Sequence, residues 1–263
     1  MKNNKVSLLK STWVQRWMAI LCVLLLAGCV SDINRREPTV DMKKALELHI
    51  RLAEGYVKKS NRESARHHLR KAFEIDRNSA AATGVMAQLY ELEGEPELAE
   101  EHYRLALRRD RDLTKTRNNY GAFLYREKRY EDALEQFETA AKDLDYDDRA
   151  RVLVNVGRAA LKLGKTQRAE TVFKHAVVLN RQLAAPLIEL AELSFLQEEY
   201  ASAKQYLDQY TTLYRATARS LLLGIRIERT FGNKDKEASY ALALRNLYPY
   251  SKEYLEYKQY LMD

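Results

Sequence analysis

Apolar and polar positions along this chain repeat on two scales. Over short windows they follow the helical period: Tyr130, Ala133, Leu134, Phe137 and Ala141 fall at i, i+3, i+4, i+7 and i+11, one face of an amphipathic helix. Over longer ones, alanines that follow a short polar turn recur as Ala65, Ala99, Ala133, Ala169, Ala203 and Ala238, spaced 34, 34, 36, 34 and 35 residues apart. Around the first five, a small residue stands twelve positions before, a bulky one four after and usually a small one seven after. The sets are Ala53, Leu69 and Ala72; Ala87, Tyr103 and Ala106; Gly121, Phe137 and Ala140; Gly157, Phe173 and Ala176; and Ala191, Leu207 and Tyr210. Stretches such as Glu93-Gly94-Glu95-Pro96 and Leu163-Gly164-Lys165 part the helical halves, with glycine supplying the left-handed conformation that ends a helix. One such hairpin cannot bury its own apolar face, so the pattern predicts an all-α stack of about six, each stabilised by its neighbours.

The repeat resembles the tetratricopeptide repeat, a helix–turn–helix of 34 residues, over most of the chain. That resemblance implies an all-α superhelix spanning 41–263, with small residues letting paired helices approach and the bulky residue filling the space between repeats. The tryptophan often found at the fourth position is absent; His49, Thr83, Arg117, Leu153 and Leu187 stand there. The sixth repeat fits least well, with Gly224-Ile225 in place of the bulky–small pair and Ala238 one residue late after Gly232. Beyond Pro249, Tyr250, Tyr254, Tyr257 and Leu261 keep a helical spacing and predict a capping helix.

Ahead of the repeats the pattern is different. Lys2, Lys5, Lys10 and Arg16 precede an uncharged segment from Trp17 to Gly28, with no acidic residue among them. This is the basic and then apolar layout of a secretory signal, too short for the ~20 residues of a membrane-spanning helix. Its end, Leu26-Ala27-Gly28-Cys29, resembles a bacterial lipobox. That resemblance implies removal of 1–28, lipid on Cys29 as the first mature residue, and a polar, proline-bearing tether over 29–40. The other reading is a simple signal peptide whose last cysteine is accidental.

Loss of the leader changes the charge. The whole chain carries +7, but the remainder holds 40 basic against 37 acidic residues, a poor argument for nucleic-acid binding, which requires a clustered basic face. Cys22 leaves with the leader and Cys29 takes the lipid, so no disulfide is expected. Among His49, His67, His68, His102 and His175, no pair has the i, i+4 spacing of a zinc site, and adjacent His67 and His68 point in different directions on a helix. Solvated surface histidines are the default. No phosphate loop or nucleophile elbow is present, so neither enzyme activity, nor a metal, nor any cofactor beyond the covalent lipid is expected. Asp143 to Asp148 marks the one long junction, either an acidic docking patch or, through Asp147 and Asp148, a cap for the next helix. Most of the seventeen tyrosines fall at core positions; Tyr125, one place beyond, is a better groove candidate.

In the tetratricopeptide family the first helix of each hairpin lines the concave face. Carrying that register over implies a partner-binding groove built from Asn118, Tyr125, Arg126, Arg158, Leu161, Lys162 and Phe195. It extends to Ile50, Glu54 and Val57, to Gln88, Glu91 and Leu92, and to Val154, Glu192, Arg226 and Arg229. Its mixture of apolar and cationic residues suits an extended or helical peptide with acidic character. The other reading is that several of these residues only pack on the neighbouring first helix.

Lipobox, short tether and six repeats together resemble the type IV pilus biogenesis and stability lipoproteins, pilotins of the PilF/PilW type. The stretches 117–124 (Arg-Asn-Asn-Tyr-Gly-Ala-Phe-Leu) and 130–137 (Tyr-Glu-Asp-Ala-Leu-Glu-Gln-Phe) and the Tyr-Pro-x-Ser at 248–251 add to the likeness. What this implies is a monomeric, non-enzymatic outer-membrane lipoprotein on the periplasmic face. It would bind secretin subunits and promote their localisation and multimerisation. Val30 and Ser31 after the cysteine favour the outer membrane. Two alternatives stand beside it: an adaptor of another envelope machine, such as barrel assembly or cell-wall synthesis, and an enzyme regulator or holdase.

Overall fold

A computed structural model describes residues 40–261; the leader 1–28, Cys29 and the tether up to residue 39 lie outside the described residues. Thirteen helices and no strand make up the described residues. They pair as α1 (Val40–Lys58) with α2 (Arg62–Ile75), α3 (Ala80–Glu93) with α4 (Pro96–Arg109), and α5 (Thr114–Arg126) with α6 (Tyr130–Ala140). Then follow α7 (Arg149–Lys162) with α8 (Thr166–Leu179), α9 (Ala184–Leu196) with α10 (Tyr200–Leu213), α11 (Ala218–Thr230) with α12 (Lys234–Leu247), and the single helix α13 (Lys252–Tyr260). Leu46–Asp263 is one compact unit, in which each hairpin stacks on the next. Among the described residues no helix is long and apolar enough to cross a membrane.

Hairpins close where a bulky side chain meets a small one sixteen residues earlier. A Cβ on Gly121 would lie 2.7 Å from the Phe137 ring, and Phe173 crowds Gly157 more closely still. Alanine suffices where leucine or tyrosine is the partner: Ala53, Ala87 and Ala191 are buried with Leu69, Tyr103 and Leu207. The sixth hairpin obeys the same rule, since a Cβ on Gly224 would lie 2.9 Å from the Tyr240 ring. That corrects the register expected there. Ala238 is exposed, and the counterpart of Ala133 is Lys236, also exposed. The physical reason is that no further hairpin stacks on α12 among the described residues, so nothing requires a small residue on that face.

Each turn inside a hairpin rests on one left-handed residue: Ser60, Gly94, Lys128, Gly164, Glu198 and Gly232, with φ between 57° and 83°. Only half of these are glycine. Loops between hairpins use a different device, an aspartate or asparagine whose side chain accepts from the amide two residues on: Asp76 from Asn78, Asp110 from Asp112, Asn180 from Gln182. Ser79 then caps α3, accepting from Ala82 N at 3.2 Å.

The expected capping helix is α13. Ser251 caps it, and Tyr254 and Tyr257 pack on the cluster of Leu221, Leu222, Ile225 and Leu244. Tyr250 is almost fully exposed, contrary to the expected stripe, because it lies in the turn before the helix begins. Where the regular hairpins touch both helices of the preceding pair, α13 packs chiefly on α11.

Candidate protein-binding face

The odd-numbered helices of the hairpins, α1 to α11, share one face, and polar side chains tie each to a neighbour across it. From α5, Lys115 reaches over α3 to donate to Glu54 of α1 at 2.5 Å. Arg126 of α5 pairs with Glu91 of α3, whose carboxylate also accepts from the buried Tyr103 hydroxyl. Asn155 of α7 donates to Asn118 of α5 at 3.0 Å. Arg158 of α7 and Arg219 of α11 close on Glu189 of α9 from either side, at 3.3 and 2.9 Å, and Arg219 also binds Glu192. No buried side-chain nitrogen or oxygen among the described residues lacks a partner.

A cleft of about 340 Å³ opens over Val57, Gln88, Glu91, Leu92 and Arg126, and three more open between these ties. A polar cleft of about 480 Å³ runs from α1 to α9 and is lined by the amides of Gln88, Asn118, Asn119 and Asn155, with Lys58, Arg151 and Arg158 at its sides. The long junction enters it: Tyr146, half-buried, and Asp148 form part of its wall. Burial and the nearby carboxylates of Asp148 and Glu54 push the Tyr146 hydroxyl above its ordinary pKa. A small cleft of about 130 Å³ brings together Tyr125, Arg126, Asn155 and Arg158. Tyr125 is half-buried, its ring 5.2 Å from Tyr130 edge-on, and burial pushes its pKa up. The third, about 450 Å³, lies at Phe195, Arg226 and Arg229.

Five of the seven groove residues thus border clefts: Asn118, Tyr125, Arg126, Arg158 and Phe195. Leu161 does not, because the last turn of α7 turns it onto the buried cluster around Phe173. Lys162 is exposed in the same turn and borders none of the three. Val154 touches the polar cleft but is buried beneath it. The groove is also less cationic than the residue types implied, since Arg126, Arg158, Arg226 and Arg229 all carry carboxylate partners. Asp148 does stand at the N-cap of α7, but its side chain makes no cap hydrogen bond and pairs with Arg151 at 3.4 Å instead.

Lys115, Arg151, Asn119, Asn155 and Tyr146 were not singled out from the sequence. A signal was there: Lys115 and Arg151 share one repeat register, and Asn119, Asn155 and Glu189 another, each polar on a helix otherwise turned to the core. The histidines also need correction. His67 is exposed, but His68 turns inward, stacks on Tyr56 and meets His49 of α1 with Nδ1 atoms 3.0 Å apart. Among the described residues no group of three or more His, Cys, Asp or Glu side chains is arranged to hold a metal ion.

A tetratricopeptide-repeat family profile matches residues 112–182, and a second matches 84–113. The chain is 39% identical over 247 residues to the type IV pilus assembly protein PilF of Pseudomonas aeruginosa, covering 93% of this chain and 98% of PilF. A solved structure of Pseudomonas aeruginosa PilF superposes with a TM-score of 0.78 at 41% identity, over 83% of this chain and 99% of that one. PilW, described as a widely conserved type IV pilus biogenesis factor, superposes with a TM-score of 0.69 at 27% identity, over 80% and 97%.

Proposed function

The chain belongs to the PilF family of tetratricopeptide-repeat proteins of type IV pilus biogenesis, and from that premise we propose that it is a pilotin. In this reading it is a non-enzymatic outer-membrane lipoprotein, moored through lipid on Cys29 and facing the periplasm. It binds secretin subunits, carries them to the outer membrane and promotes their multimerisation. The observation that carries the reading is the open polar cleft on the odd-helix face, flanked by Tyr125 and Arg126 and lined by four side-chain amides. Amides offer both donors and acceptors, which complements a peptide backbone. Most charges in the cleft are already paired, Lys115 with Glu54, Arg158 with Glu189 and Arg151 with Asp148, which leaves that role to the amides.

More than one acyl chain on Cys29 gives lasting attachment, at about 0.8 kcal/mol per buried methylene. Cys29→Ala should leave a protein that still binds secretin while the secretin multimers are lost from the outer membrane. Normal outer-membrane multimers and normal twitching in that variant would sink the transport role. Asn118→Ala combined with Asn155→Ala tests the cleft separately: secretin binding, read by pull-down of purified subunits, should fall about tenfold, as expected for loss of one to two hydrogen bonds.

A further inference from the structure

The third cleft differs in kind from the polar one. Its walls are Phe195 of α9, Leu222 and Ile225 of α11, and Tyr257 and Tyr260 of α13, enclosing about 450 Å³, within the range of ligand clefts. Its charges are all satisfied within the molecule. Arg226 donates to Glu256, while Arg229 donates to Glu237 at 2.7 Å and lies 4.0 Å from the Tyr260 ring centroid. Only Thr230 and Gln259 add polarity, and neither is charged.

The helices that wall this cleft also end in exposed apolar residues. Leu196 closes α9 at 76% exposure, Phe231 follows α11 at 46%, and Tyr260 and Leu261 end α13 at 59% and 61%. Within the cleft, Tyr260 adds its exposed ring to the apolar walls, and exposed apolar surface of this kind marks interaction sites. The fold also supplies a precedent for the occupant. The stretch of this face over α11 already receives a helix, α13, which inserts Tyr254 and Tyr257 and pairs Glu256 with Arg226. The adjoining stretch at Phe195 is unfilled.

We propose that the cleft between α9, α11 and α13 is a second docking site, which takes the apolar side chains of an uncharged amphipathic helix presented by a partner protein. The helix lies beside α13 and continues its packing toward α9, in the helix-in-groove mode. This site is independent of the polar cleft and of the secretin assignment.

The test uses the full chain held in phospholipid nanodiscs and a fluorescein-labelled helical peptide of about 16 residues, with Leu and Phe at i, i+3, i+4 and i+7 and zero net charge. Fluorescence anisotropy should show binding, weakened about tenfold by Phe195→Ser and about tenfold by Gln259→Lys, which puts a charge at the apolar walls that the bound peptide would desolvate. Gln259 is exposed, so the second variant keeps the test valid if the first unfolds. Asn118→Ala should leave the peptide affinity unchanged. Equal binding by wild type and Gln259→Lys would overturn the proposal. So would equal binding by empty nanodiscs, which would assign the affinity to the lipid surface.

Discussion

Ser60, Lys128 and Glu198 hold a backbone conformation that glycine holds at the matching turns, Gly94, Gly164 and Gly232. An L-residue pays about 1–2 kcal/mol for it, and glycine returns roughly half of that advantage through the freer unfolded chain. Glu198→Gly and Lys128→Gly should therefore each stabilise the fold by about 0.5–1 kcal/mol, seen as a higher urea midpoint. Gly94→Ala should cost about 1 kcal/mol. At the packed interface the sign is fixed by space instead: Gly157→Ala drives a methyl into Phe173, and the thermal midpoint should fall with a loss of about 1–3 kcal/mol. Side chains of this sort were legible from the sequence wherever size alone sets the contact, as at Gly121 and Phe137. The turn at Glu198 was not, because nothing in a glutamate announces positive φ; only its spacing of 34 from Gly164 and from Gly232 does so.

Between elements, ionisable side chains set where the stack is weak. His68 is held below the ordinary histidine value of 6.5, first by burial and then by His49 and His67. The groups facing it are His49 and Tyr56 from α1 and its neighbour His67. Because the folded pKa is depressed, the unfolded chain binds the proton more readily, and stability falls as pH drops through 6.5 toward the folded value. Glu228 behaves differently. Burial pushes it up, but hydrogen bonds from Lys204 and Asn233 outweigh that, so its net shift is downward from 4.5. Its contribution is present above 4.5 and is lost as pH falls below that value. Hydrogen exchange should accordingly show α1 and α2 loosening first on acidification and α11 and α12 only later. His68→Gln should remove the first step; an unchanged pH profile in that variant would refute the assignment. Arg219 links α11 to two glutamates of α9, one of them buried, so Arg219→Ala should cost about 1–3 kcal/mol by denaturant titration.

For the whole molecule, the number of hairpins, their register through Tyr210 and the final helix were all legible, because stacking demands the same residue sizes at the same spacing in each repeat. Register was lost at Ala238, where that demand lapses on the last face. The candidate face was harder to read. Family register located Asn118, Tyr125 and Arg158, but it could not reveal that the arginines were already paired, since their partners, such as Glu189 for Arg158 and Glu91 for Arg126, come from hairpins 31 and 35 residues away. Nor could it place Tyr146, which reaches the cleft only because the long junction folds inward.

The bond from Lys115 to Glu54 joins the first and third hairpins directly, passing over the second. It acts as a bowstring, favouring the curved arrangement of those three hairpins by up to about 1 kcal/mol. At ~1 M salt, where the screening length shrinks to about 3 Å, the string slackens. A pair of fluorophores on α1 and α5 should then move apart, and in Lys115→Met they should sit at the slack distance at every ionic strength.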